Sequence, residues 1–204
     1  MPLRRASGLS GAQKAAGVQL LATGEMGIGN TTTSSAVAAV LLGQPVEQMT
    51  GRGAGLSDAG LARKLDAIRR GIARNRPMPL TAGRALQAGR VRHRRGCGGV
   101  FLGGALEGLP VLMDGFISGV AALCAVRLCP AAERPCLPAT APPNRQQGWC
   151  WKALGKAPLL TAGSSSRRGH RSGGKHPAVG YALAVYCDCY SFTEGGITPY
   201  TPQC

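Results

Sequence analysis

Aromatic side chains are scarce in this chain: Phe, Trp and Tyr together make up 4% of its 204 residues. Acid is scarce too, with nine Asp and Glu against 24 Lys and Arg and a formal net charge of +15. Long hydrophobic runs are missing. The best candidate, residues 101–126, is broken by Glu107, Pro110 and Asp114, and it reads as a strand followed by a helix rather than a membrane span. The eight cysteines include no Cys-x-x-Cys pair, and Cys187 and Cys189 stand too close for a usual zinc pair. Arg4 and Arg5 are followed by no apolar core of the kind a secretion signal needs. These shortages argue against a disulfide scaffold, a zinc ribbon and a membrane helix. A cytoplasmic protein with free thiols is the expectation.

The shortage of acid is local. No Asp or Glu occurs between Asp66 and Glu107, where nine arginines fall, from Arg69 to Arg95. A second acid-free run holds Arg167, Arg168, Arg171 and Lys175. A net charge of this size invites a nucleic-acid partner, whose binding would weaken steeply with salt. The uneven placement argues against that partner, because the excess comes from a few stretches only.

What is present in abundance is glycine, 31 residues, and its most telling cluster is Thr23-Gly24-Glu25-Met26-Gly27-Ile28-Gly29-Asn30-Thr31-Thr32-Thr33-Ser34-Ser35. An apolar run at 18–21 precedes it and reads as a buried strand. Residues 36–42 follow and read as a helix against a sheet. Glycines let the backbone turn tightly and approach a ligand. Asn30 and Thr31 are candidates to cap the helix. Gly27, Gly29, Asn30, Thr31 and Thr32 are candidates to hold a phosphate, since the free N–H groups and dipole of a helix start favour an anion. A plain strand-turn-helix without a ligand explains the residues equally well.

The wording of the string, Gly24-Glu25-Met26-Gly27-Ile28-Gly29-Asn30-Thr31-Thr32-Thr33-Ser34, resembles the signature of the nicotinate-nucleotide–dimethylbenzimidazole phosphoribosyltransferase family. Thr50-Gly51-Arg52-Gly53, Gly55-Leu56-Ser57-Asp58-Ala59-Gly60-Leu61 and Leu109-Pro110-Val111-Leu112-Met113-Asp114-Gly115-Phe116-Ile117-Ser118 continue the resemblance in order. It is specific over residues 18–72 and 100–132 and patchy elsewhere. It implies transfer of a phosphoribosyl group from nicotinate mononucleotide to 5,6-dimethylbenzimidazole in cobalamin nucleotide-loop synthesis. It implies a homodimer, no cofactor and no metal. Glu25 matches a family active-site acid, and Lys64 a lysine on the helix after the Thr-Gly-Arg-Gly turn. Gly51, Arg52 and Gly53 join the phosphate candidates. Asp114, at the end of a strand, is a candidate for a ribose hydroxyl or for capping the next helix. The alternative for Glu25 is a turn cap, and for Lys64 an ordinary place on a solvated helix face. The family's general base is the Glu of a Gly-Glu-Gly-Thr-Gly string. Residues 162–173, the equivalent stretch, contain no carboxylate.

The expected fold is α/β, a Rossmann-like three-layer domain with a mostly parallel sheet. By the resemblance, a small helical domain is incomplete, because family members carry a large segment before the strand at 18–21. One domain over 1–204 is expected, irregular at 72–98, 133–152 and 163–178. Within it, 11–17 reads as a helix end, 31–42 as a helix and 46–50 as a short strand. A helix capped by Ser57 or Asp58 runs to about Arg70. A strand at 109–113, a helix at 116–128, a strand at 158–161 and a terminal helix at 181–192 complete the reading.

Three irregular stretches share a further property. Arg90-Val91-Arg92-His93-Arg94-Arg95-Gly96, Gly148-Trp149-Cys150-Trp151-Lys152 and Arg167-Arg168-Gly169-His170-Arg171-Ser172-Gly173 can each be encoded in GC-rich codons. Read out of frame, the first then gives Gly-Phe-Asp-Ile-Ala-Ala, the second Leu-Val-Leu-Glu and the third Glu-Gly-Gly-Thr-Gly-Ala. The first and third are close to family strings. The hypothesis is a frame disruption in the gene or its sequencing. Resequencing the locus decides it, and an uninterrupted frame encoding these arginines would sink it. His170 and His176 lie in the last such region and are set aside as ligands.

Overall fold

A computed structural model describes residues 2–76 and 92–159 apart from Met26, Ile28, Ala54, Thr140 and Pro143. Helix α1 (Pro2–Ala15) leads to strand β1 (Leu21–Thr23), then α2 (Thr31–Leu42), α3 (Val46–Met49) and α4 (Asp58–Asn75). Helix α5 (Arg92–Glu107), strand β2 (Val111–Met113) and α6 (Phe116–Leu128) follow. A 3-10 turn (Pro130–Glu133), strand β3 (Cys136–Pro138) and α7 (Arg145–Ala153) close the described chain.

The strands form one parallel sheet in the order β1-β2-β3, with Thr23 opposite Met113 and Met113 opposite Pro138. Parallel pairs require crossovers, which here are helical. The central strand is apolar at every position, and Val111, Leu112 and Met113 are all buried. Helix α6 carries no strong apolar stripe because it is apolar nearly all round, as a helix buried over most of its length must be. Every residue from Ile117 to Ala125 is buried. It packs against α2, α5 and α7. Where α6 meets α7, a Cβ built on Gly119 would lie 2.6 Å from Trp151 Cζ3, so only glycine fits there. Leu41, Met49, Phe101, Cys150 and Leu154 complete the core.

The expected bounds of α2 and α6 hold, and Ser57 does cap α4, its hydroxyl accepting from Gly60 N–H at 3.2 Å. Several expectations are corrected. The first strand starts at Leu21, not Val18, because Val18 N–H still bonds Gln13 O as α1 ends, and the sheet is joined where Leu21 N–H meets Pro110 O. Residues 46–50 are not a strand. Pro45 O accepts from Gln48 and Met49 N–H, and the segment closes as α3, with Met49 wholly buried. Glu, Gln and Met are good helix formers, which the short apolar reading overlooked.

The stretch at 72–98 is helical at both described ends, since α4 runs to Asn75 and α5 begins at Arg92. Residues 133–152 are not irregular either. They contain β3, whose flanks are fixed by Val111 N–H to Pro135 O and Ala139 N–H to Met113 O, and α7, capped by Asn144. Pro158 and Leu159 lie outside any strand, although Leu159 N–H bonds Pro138 O. The remainder of 158–161, the stretch 163–178 and the helix expected at 181–192 fall outside the described residues.

Candidate active site

Because β1 and β2 are adjacent and parallel, both chain segments leaving their carboxyl ends emerge side by side. This is the edge of an open α/β sheet at which ligands bind. One segment is the loop at 24–30, and the other is Asp114-Gly115 before α6. They approach each other closely: a Cβ on Gly27 would lie 3.9 Å from Ile117 Cδ1. Gly27 and Gly29 hold φ of 92° and 72°, left-handed values that glycine adopts without strain. Their freedom is what lets the chain turn from β1 into α2.

Glu25 is half-buried at the centre of this turn. Its Oε2 accepts from Gly27 N–H at 2.6 Å, and its Oε1 accepts from Asn30 Nδ2 at 2.7 Å. Asn30 occupies the N-cap position of α2, yet its side chain makes no capping bond. The expectation that Asn30 caps α2 through its side chain is therefore corrected: the amide is held by Glu25. Thr32 sits half-buried in the first turn.

Lys64 is the second fixed point. It is 6% exposed on α4, not on a solvated face. Its Nζ donates to Gly51 O at 2.8 Å and to Thr31 Oγ1 at 3.1 Å. One ammonium thus ties three pieces of chain together: α4, the start of α2 and the loop at 50–56. Burial pushes the Lys64 pKa below its ordinary value. Gly53 comes near the same point, where an added Cβ would lie 3.3 Å from Thr31 Oγ1. Arg52 turns away. Its guanidinium donates to Leu56 O at 2.9 Å and pairs with Asp58 at the exposed start of α4.

Asp114 is buried at the carboxyl end of β2. It directly precedes Gly115, which occupies the N-cap position of α6.

Cys97 on α5 is a residue the sequence did not single out. Burial pushes its thiol up, and the charge of Glu25 pushes it further, so the two lie within electrostatic reach. Its place in an arginine-rich run concealed it. A separate cavity of about 600 Å³, lined by Gln48, Asn144, Arg145, Trp149 and Lys152 among others, contains none of the residues chosen from sequence.

An anion-ready helix start, a two-point-held carboxylate and a buried lysine at the carboxyl edge of a parallel sheet suit handling of a phosphorylated ribose. A family model described as phosphoribosyltransferase matches residues 4–197, so the family is one of phosphoribosyltransferases. The chain belongs to the nicotinate-nucleotide–dimethylbenzimidazole phosphoribosyltransferase family. The enzyme of that name from Desulforudis audaxviator is 39% identical over 182 residues, covering 89% of this chain and 52% of that protein. Its counterpart from Roseiflexus castenholzii is 53% identical over 119 residues, covering 58% of this chain and 34% of the relative. The crystal structure of CobT from Thermus thermophilus superposes with a TM-score of 0.83 at 31% identity, over 97% of this chain and 59% of that one. The chain thus spans between a third and about half the length of these two curated relatives.

Proposed function

We propose that this chain transfers the phosphoribosyl group of nicotinate mononucleotide to 5,6-dimethylbenzimidazole, giving α-ribazole 5'-phosphate and nicotinate. The observation that carries the proposal is the pairing of the clamped Glu25 with the Lys64 bridge at one end of the sheet, in a chain of this family. In the proposed complex the phosphate rests on the start of α2, against Gly27, Gly29, Thr31 and Thr32. Gly51 and Gly53 close its other side, and Asp114 meets a ribose hydroxyl.

The bond from ribose C1 to the nicotinate nitrogen breaks, and its electron pair leaves with nicotinate. A dimethylbenzimidazole nitrogen attacks C1 from the opposite face, and the other ring nitrogen gives its proton to solvent water. The ribose carbon is cation-like at the crest, and the carboxylate of Glu25 stabilises it. Lys64 keeps the phosphate loop and the 50–56 loop in register and balances anionic charge. We place the reaction in the cytoplasm, in a homodimer. Sedimentation of the purified chain tests the second point.

A noncatalytic reading is favoured by one observation: residues 162–173 hold no carboxylate where the family has its general base. Incubation with both substrates, followed by chromatography for nicotinate and α-ribazole 5'-phosphate, separates the readings. Both products support transfer. Saturable nicotinate mononucleotide binding without them supports the noncatalytic form. Nucleic-acid binding is disfavoured, since Arg69 and Arg70 on α4 are paired with Glu47 and Asp66. Salt-sensitive DNA binding without nucleotide binding would reverse that judgement.

A further inference from the structure

We propose that Asn30 is a positioning residue that fixes the carboxylate of Glu25 and does not itself hold the phosphate; this rests on the reading of Glu25 as the acid of the transfer site. An asparagine at an N-cap ordinarily turns its side-chain oxygen onto a backbone N–H of the first turn. Asn30 makes no such bond. Its Nδ2 donates instead to Glu25 Oε1 at 2.7 Å, while Gly27 N–H donates to Oε2 at 2.6 Å. A carboxylate only accepts, so the amide orientation at this contact is fixed by chemistry: nitrogen faces Glu25.

Two donors on two different oxygens set both the place and the plane of the carboxylate, which one donor would leave free to rotate. The arrangement has a second effect. The Asn30 side chain occupies none of the N–H groups of the first turn of α2, so those groups stay free of this cap for an incoming anion. The same residue thus aims the acid and leaves the phosphate cradle clear of its own side chain.

The test uses the full chain. Asn30→Ala should lower the rate of nicotinate release about 10–100-fold, the scale of a misplaced group in a positioned reaction. Nicotinate mononucleotide affinity by calorimetry should stay within about twofold, since the side chain makes no ligand contact in this proposal. Asn30→Asp should be slower still, because it sets one carboxylate against another. In a Glu25→Ala background, Asn30→Ala should change the rate by less than about twofold, since a residue acting through Glu25 has nothing left to act on. A tenfold loss of nucleotide affinity in Asn30→Ala, or losses that multiply in the double variant, overturns the proposal.

One arm is independent of activity. The side-chain amide signals of Asn30 in nitrogen-edited NMR should shift markedly on Glu25→Ala. Unmoved signals overturn the clamp. If the unaltered chain releases no nicotinate, the functional reading fails by itself, and the NMR arm still decides the clamp.

Discussion

Glu25 and Lys64 both stand out in the sequence, but their surroundings separate two kinds of role. Glu25 is gripped by backbone and amide donors, so replacing it with an isostere keeps the turn. In Glu25→Gln the new amide still accepts from Gly27, and Asn30 can flip to accept from it. Nucleotide affinity should therefore persist while nicotinate release falls about 10²–10³-fold, the range for losing one preorganised electrostatic group. An unchanged rate in a discontinuous nicotinate assay would remove Glu25 from the chemistry.

Lys64 is a buried cation serving two acceptors. Its folded pKa lies below the ordinary value of 10.5, so the unfolded chain binds its proton more tightly. Stability contributed by this group therefore rises with pH between the lowered folded value and 10.5. Lys64→Met should lose that rise, so the gap between the two proteins should widen in urea titrations as pH climbs toward 10.5. Met also leaves Gly51 O and Thr31 Oγ1, both half-buried, without this donor, which costs stability to the extent that water does not replace it. A gap that stays constant with pH would mean the ammonium is not desolvated.

At the scale of elements, the loop at 24–30 and the crossing of α6 and α7 each depend on a missing side chain. Gly27 sits at φ 92°, so Gly27→Val is strained whatever the space, and its branches would crowd the approach of a phosphate. Nicotinate mononucleotide affinity should fall, and unaltered affinity in calorimetry would mean the loop is not the phosphate site. At Gly119 two effects compete. Alanine favours a helix over glycine by about 0.8–1 kcal/mol. Against this, its Cβ meets Trp151 at 2.6 Å within the packed core. Overpacking of that kind costs about 1–3 kcal/mol, so Gly119→Ala should be net destabilising. Its urea midpoint should drop, and a midpoint above that of the unaltered chain would show that Trp151 moves aside freely.

Elements are legible in proportion to how local their causes are. Helices α2 and α6 can be read to the residue because a continuous apolar run ends at Gly43 in one and follows Asp114-Gly115 in the other. Strand β3 escapes notice because Cys136-Leu137-Pro138 is short and contains proline, which a strand tolerates at an edge but which carries no strand signal. Its pairing with β2 comes from elsewhere in the chain. Helix α3 passes for a strand because four residues of mixed character have no period to read.

For the whole molecule, the main expectation concerns the base that residues 162–173 do not supply. General-base catalysis is worth about 10²–10⁴-fold, so the unaltered chain should turn over slowly by that factor. Arg167 and Arg168 add charge that opposes a cation-like ribose carbon wherever they approach it. Replacing 167–173 with the alternative-frame string Glu-Gly-Gly-Thr-Gly-Ala should raise the rate toward that factor, read as nicotinate released per minute. If the unaltered chain already matches the altered one, both the frame hypothesis and the role given to that Glu are wrong.

The sequence by itself determined the family, the α/β class, the glycine-rich turn into α2 and the choice of Glu25, Lys64 and Asp114 as candidates, because these reside in contiguous strings whose spacing survives without a fold. Tertiary structure alone decided what those residues touch. Lys64 and Gly51 are 13 positions apart and Lys64 and Thr31 are 33 apart, so the bridge exists only once α4 packs against α2. Asn30 looks like a cap because isolated helix starts use asparagine that way. In the folded chain a half-buried carboxylate five residues earlier competes for its amide and wins, since a charged acceptor makes the stronger hydrogen bond.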